Sequence, residues 1–202
     1  QGDSNYPYEN TFDRIEQIMY KDARNEAWKP YVARHKAIYE YKICKHFEKA
    51  EQILQETIRS LEVTPLRIKY DIYFELGEIY RMRNNDSSNY EKSFNYYLEA
   101  AQFAKRVHDY NLHSNSQLGI MLLNIKYCYD IDNNILRSII SETHKIGLNI
   151  NYNCAMFVKY LTDNESIPED VVSYWEKMKY SDLLFLSSKS KSEKCNLKLT
   201  VM

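Results

Sequence analysis

The sequence predicts an all-α protein, on three observations. Glycine and proline number four each in 202 residues, too few for the tight turns of a β-sandwich or barrel. Apolar residues recur three and four positions apart along most of the chain, the spacing that lines one face of a helix. The clearest polar break, Asn84-Asn85-Asp86-Ser87-Ser88, is short and lies between two such periodic stretches, as a link between paired helices does.

The elements follow in order. Residues 1–9, QGDSNYPYE, are polar and predict a flexible leader. Phe12, Ile15, Ile18 and Met19 then mark an N-terminal helix over 10–30. It is expected to close near Pro30, because the residue before a proline resists αR geometry. Between Tyr31 and Leu61 two apolar stripes run out of phase: Ala33, Ala37, Ile38, Tyr41, then Phe47, Ala50, Ile53, Leu54, Thr57. A turn near Lys45-His46 divides them into two helices. Thr64 as N-cap and Pro65 in the first turn open the next pair. Its first helix carries Ile68, Ile72, Tyr73, Leu76, Ile79 and Tyr80, and its second Tyr90, Phe94, Tyr97, Leu98, Ala101 and Ala104. A third pair runs through Leu118, Gly119 and Leu122, turns at Asp132-Asn133-Asn134 and continues over Ile135–Ile146. Two more helices are expected over Asn151–Leu161 and Glu169–Tyr180, separated at Ser166 and Pro168. The tail over 187–202 begins with the polar run SSKSKSEK and ends with Leu197–Val201, which alternates in polarity and suits pairing as a strand with a partner. The total is about nine helices.

Two of these pairs carry a recognisable pattern. Leu76-Gly77-x-x-Tyr80, followed by Tyr90-Glu91-Lys92-Ser93, Tyr97 and Ala100, resembles a tetratricopeptide repeat. Ile38-x-x-Tyr41, followed by Phe47-Glu48-Lys49-Ala50, Leu54 and Thr57, is similar to the same template, with nine residues from Tyr41 to Ala50. From Tyr80 to Ser93 the step is thirteen residues, so the Asn84–Ser88 loop resembles a four-residue insertion. The copy at Leu118-Gly119 is weaker. Intervals also depart from the family: Ile38 to Gly77 is 39 residues and Gly77 to Gly119 is 42, against about 34. The resemblance covers 31–147 and implies an α-solenoid of three irregular antiparallel helical hairpins. Residues 148–186 would then be C-terminal capping helices that cover the last apolar surface.

In that family a small residue lets paired helices approach, and ligand-facing positions flank it on the first helix of each hairpin. Carried onto this chain, those positions are His35, Tyr39 and Lys42 in the first unit, Asp71, Phe74, Glu78 and Arg81 in the second, and His113, Ser116 and Ile120 in the third. They mix aromatics with both charges and lack the Lys/Asn set that clamps a peptide's terminal carboxylate in chaperone adaptors of the family. The resemblance thus implies a scaffold or sensor module of a larger regulatory protein, binding a protein or a side-chain-rich peptide in a concave groove. A peptide-gated regulator is the second reading. Each of these residues also fits a plain solvated face.

Composition narrows the alternatives. With 27 Lys+Arg against 28 Asp+Glu the net charge is -1, without the basic excess of a nucleic-acid binder. There is no run of eighteen apolar residues to span a membrane. Cys44, Cys128, Cys154 and Cys195 are far apart, without C-x-x-C spacing, so free thiols in a cytoplasmic setting are expected. The absence of an initiator Met before Gln1 reads as a fragment or processed form. Tyrosine is abundant, at 19, and its ring with a polar tip suits packing seams and grooves alike.

The sequence offers little for catalysis. The five histidines form no H-x-x-x-H pair, so neither metal nor cofactor is expected. Cys44 stands beside Lys45 and His46, which in principle lower a thiol's pKa, yet a Cys in such a place is more often a small buried apolar residue. Glycines are isolated and make no phosphate loop. Arg137 and His144 on one helix loosely resemble the Arg-plus-His signature of helical HEPN-type ribonucleases, with Ser138 where that family places another polar residue. Surface residues on an amphipathic helix give the same pattern. No enzyme activity is expected.

Overall fold

A computed structural model describes Arg14 and residues 28–60, 66–84, 86–163, 165–169 and 171–173. Among these residues all regular structure is helical. Seven α-helices follow one another: α1 (Lys29–Tyr39), α2 (Phe47–Arg59), α3 (Leu66–Met82), α4 (Ser87–Arg106), α5 (Tyr110–Lys126), α6 (Asn133–Lys145) and α7 (Asn149–Asp163). A π-helical turn, Glu40–Cys44, extends α1. The leader, most of the expected N-terminal helix, the Thr64-Pro65 start, most of the helix over Glu169–Tyr180 and the tail lie outside the described residues.

Pro30 opens a helix instead of closing one. It sits in the first turn of α1, where its fixed φ suits the helix and its missing N–H would have no intrahelical partner. The 84–88 link is also shorter than expected. Asp86 is the N-cap of α4, its carboxylate accepting from the Ser88 N–H at 2.9 Å, so Ser87 and Ser88 belong to the first turn. Asp109 and Asp132 cap α5 and α6 in the same way, each satisfying amide groups that a helix start leaves open.

Helix C-termini explain how so few glycines suffice. α4, α5 and α6 each end on a left-handed residue: His108 (φ 54), Cys128 (φ 59) and Gly147 (φ 70). In each case the next N–H reaches back to a carbonyl inside the last turn, as Asp109 does to Ala104, Tyr129 to Asn124 and Leu148 to Thr143. This is the Schellman closure. Gly147 isolates its backbone cost, because an added Cβ there would have no atom within 4 Å. Gly147→Ala is therefore expected to lower stability by about 1–2 kcal/mol from φ alone, read as a lower urea midpoint with an unchanged m-value.

Packing runs between sequence neighbours and between alternate helices. α1 packs on α2, α3 on α4, α4 on α5 and α6 on α7; α1 also touches α3, α3 touches α5, and α5 touches α7. One apolar cluster joins α1, α2 and α3 through Tyr41, Leu54, Ile72 and Leu76, while Leu122, Leu136, Ile139 and Phe157 join α5, α6 and α7. Tyr97, Leu123 and Tyr127 pack between α4 and α5. No helix among the described residues is long and apolar enough to cross a membrane.

Candidate functional site

α3 carries an unusual stripe. Asp71, Glu75 and Glu78 recur at four- and three-residue spacing, the repeat of one helix face, and all three are buried, as is Arg81 one turn further on. Buried carboxylates are tolerated only with cationic or hydrogen-bonding partners. The neighbouring helices supply them.

From α1, Arg34 donates to Glu75 Oε1 through Nη2 at 2.7 Å and Nε at 3.2 Å, and its Nη1 lies 3.9 Å from Asp71. Tyr41 donates its hydroxyl to Glu75 Oε2 at 2.6 Å. One turn along α3, Arg81 forks onto Glu78, with Nη2 to Oε2 at 2.7 Å and Nε to Oε1 at 3.1 Å. From α4 the Tyr97 hydroxyl donates to Glu78 and accepts from Arg81 Nε. Burial first, and then the Glu78 charge, push the Tyr97 hydroxyl well above its ordinary range, so it stays a neutral donor. Lys126 of α5 closes this end by donating to the carbonyls of Arg81 and Arg83. The stripe is thus a polar seam through which α1, α4 and α5 are fixed to α3.

The ten ligand-facing positions differ in burial. Asp71, Glu78, Arg81 and Ser116 are buried; Tyr39, Lys42, Phe74, His113 and Ile120 are half-buried, and His35 is exposed. Phe74 packs on the rings of Tyr70 and Tyr97. Ser116 turns its hydroxyl to the Leu112 carbonyl of its own helix. Burial, and next the charge of Lys105, hold His113 below the ordinary imidazole range. Glu78 and Arg81 are committed to each other and to Tyr97, and the one exposed position of the ten, His35, lies on α1. Arg137 and His144 are both exposed on α6, and the His144 ring packs edge-on against Tyr152.

Arg34, Tyr41, Glu75 and Tyr97 complete the seam, and the sequence reading gave none of them a polar role. A usable signal was present: three acidic residues on one face of a helix that also carries Ile68, Ile72, Leu76 and Ile79. Among the described residues one trio of possible metal ligands also converges, Glu40, Cys44 and His46.

Asp71 has the weakest pairing of the three carboxylates. Burial raises its pKa against the opposing pull of Arg34 and Arg67. A carboxyl that holds its proton more tightly when folded than when unfolded gives up stability as it ionises. Folding therefore gains as pH falls through the folded pKa. Asp71→Asn removes the ionisation and is expected to raise the urea midpoint at neutral pH, with the advantage vanishing in acid. A midpoint lowered at neutral pH would instead make Asp71 a net ion-pair partner of Arg34.

Comparison with known proteins gives no match to a family model, to a curated protein or to a solved structure.

Proposed function

We propose that the chain is a tetratricopeptide-like α-solenoid, a scaffold or sensor module of a regulatory protein, and that it binds a protein or peptide along the face formed by α1, α3 and α5. The observation that carries this reading is a repeated register of contacts between alternate helices. Arg34 of α1 meets Glu75 of α3 across 41 residues, and Gln55 of α2 meets Tyr96 of α4 across 41. Arg67 of α3 meets the α5 cap Asp109 across 42, and Asn151 of α7 meets Asn111 of α5 across 40. Contacts between equivalent places one repeat apart are what a stacked array produces. The register also agrees with the 39- and 42-residue intervals between Ile38, Gly77 and Gly119.

In a stack of this kind the first helices of the hairpins line the concave side. On α1 that lining offers the exposed His35 with the half-buried Tyr39 and Lys42. An imidazole, a phenol and an ammonium suit a ligand that presents acidic and aromatic side chains. Cys44, Cys128 and Cys154 are not in disulfides, which suits a reducing, cytoplasmic setting.

A photo-crosslinking amino acid at position 35 tests the face directly, with the same group at Gln102, exposed on α4, as control. In native extract a discrete adduct is expected from position 35 and not from 102. Equal labelling from both positions, or adducts from 102 alone, would refute a ligand-binding face on the first helices.

A further inference from the structure

The end of α1 builds a second constellation, independent of the groove. Over Glu40–Cys44 the winding changes from α to π, and Lys45 takes φ 60. The His46 N–H then donates to the Glu40 carbonyl at 2.9 Å. The chain is folded back so that residues 40, 44 and 46 face one another. Single π turns inside α-helices recur at functional sites.

Glu40, Cys44 and His46 each present a ligand atom, and the three atoms lie within 4.8 Å of one another. The Glu40 side chain is only 4% exposed, and its two oxygens are divided: Lys49 Nζ holds Oε1 at 2.6 Å, while Oε2 faces His46 Nδ1 at 3.0 Å. Cys44 is a free, half-buried thiol, and the His46 ring is exposed and able to turn. A buried carboxylate locked by a lysine on one oxygen, with the other turned toward an imidazole and a thiol, is a preorganised monodentate donor.

We propose that Glu40, Cys44 and His46 bind a borderline-soft divalent cation of the zinc type, with three protein ligands and one position left open. Thiolate, imidazole and carboxylate together suit zinc better than magnesium or calcium, which take oxygen sets. With zinc–ligand bonds of about 2.0–2.3 Å, tetrahedral ligand atoms stand roughly 3.3–3.8 Å apart. From the 4.8 Å bound the trio has to close by at most about 1.5 Å, and because Glu40 Oε2 and His46 Nδ1 already stand 3.0 Å apart, the movement falls to the Cys44 side chain. Binding takes Cys44 as thiolate and His46 as neutral imidazole, and the thiol proton and any imidazolium proton pass to water. Lys49 stays on Oε1 and fixes the carboxylate from outside the coordination sphere. The sequence concealed the site because E-x-x-x-C-x-H matches no common ligand spacing, and it becomes compact only through the π turn and the left-handed Lys45.

Cobalt(II) added to the full chain is the test, followed by zinc(II). One equivalent of cobalt is expected to give a thiolate-to-metal charge-transfer band in the near ultraviolet, which zinc then abolishes. Cys44→Ser should remove the band, whereas Cys128→Ser, Cys154→Ser and Cys195→Ser leave it. His46→Gln, at an exposed position that does not threaten folding, should weaken binding at least tenfold with an unchanged far-ultraviolet circular dichroism spectrum. Absence of the band, or its survival in Cys44→Ser, overturns the proposal, as does unchanged affinity in His46→Gln.

Discussion

Truncating Tyr97 to alanine is expected to cost about 3–5 kcal/mol of unfolding free energy, the range for emptying a buried aromatic site. The ring is fully buried, and two glycines on different helices make room for it. A Cβ added at Gly77 of α3 would stand 2.7 Å from the ring, and one at Gly119 of α5 would stand 2.6 Å from it. One side chain of α4 therefore fixes the approach of both neighbouring helices, with Phe74 packed edge-on at 5.5 Å between ring centroids. Overfilling the same space tests the geometry from the other side. Gly119→Ala adds a methyl that Tyr97 cannot avoid, because Glu78 and Arg81 hold its hydroxyl. Overpacking costs about 1–3 kcal/mol, of which improved helix propensity returns about 1. Urea denaturation of the single variants and of Gly119→Ala/Tyr97→Ala measures the coupling. The double variant should lose less than the two single losses added together, whereas strict additivity would mean that the ring and the glycine do not share a site.

Removing Arg81 is the second large effect. Arg81 and Glu78 are buried together, with side chains 3% and 8% exposed. Taking away one partner strands the other charge in a low-dielectric interior, which costs about 3–5 kcal/mol. At about 2–4 °C for each kcal/mol in a chain of this size, Arg81→Met is expected to lower the melting temperature by about 10 °C. Arg81→Met/Glu78→Leu should recover most of that loss, because well-packed apolar replacements of a buried pair come out near neutral. A double variant as unstable as Arg81→Met would show that the pair also stabilises through Tyr97.

The difference between what the residues foretold and what they hid has a physical basis. Helical periodicity and Asp caps are local, so the Lys45-His46 turn and the starts of α4 and α6 were legible to within a residue or two. The importance of Gly77 and Gly119 was legible too, as small residues at regular places, although not that both serve one tyrosine. Left-handed turns at Lys45, His108 and Cys128 left no trace, because none of these residues is the glycine or asparagine that usually marks such a turn. The α3 stripe was legible as a helix face but not as a buried one. Charged residues at helical spacing ordinarily face water, and here Arg34 and Tyr41 from the α1 side, Tyr97 from α4 and Arg81 on α3 itself make burial tolerable. Three of the tyrosines have a common use here, since Tyr41, Tyr80 and Tyr97 all donate to glutamates on neighbouring helices.

This geometry also decides which substitutions can test binding. Changes at Phe74 and Arg81 would damage packing and the Glu78 pair, so a lost interaction would report misfolding. His35, Tyr39 and Lys42, on α1 and its π-helical extension, lie outside the apolar clusters, and Lys42 stands over the Tyr41 ring at 5.6 Å, so stability has to be measured beside affinity. The decisive measurement is the dissociation constant of the partner captured through position 35, for wild type and for His35→Ala/Tyr39→Ala/Lys42→Ala, with melting temperatures compared alongside. A binding face on α1 predicts at least tenfold weaker binding, about 1.4 kcal/mol, at an unchanged melting temperature. Equal affinity in the two proteins would contradict it.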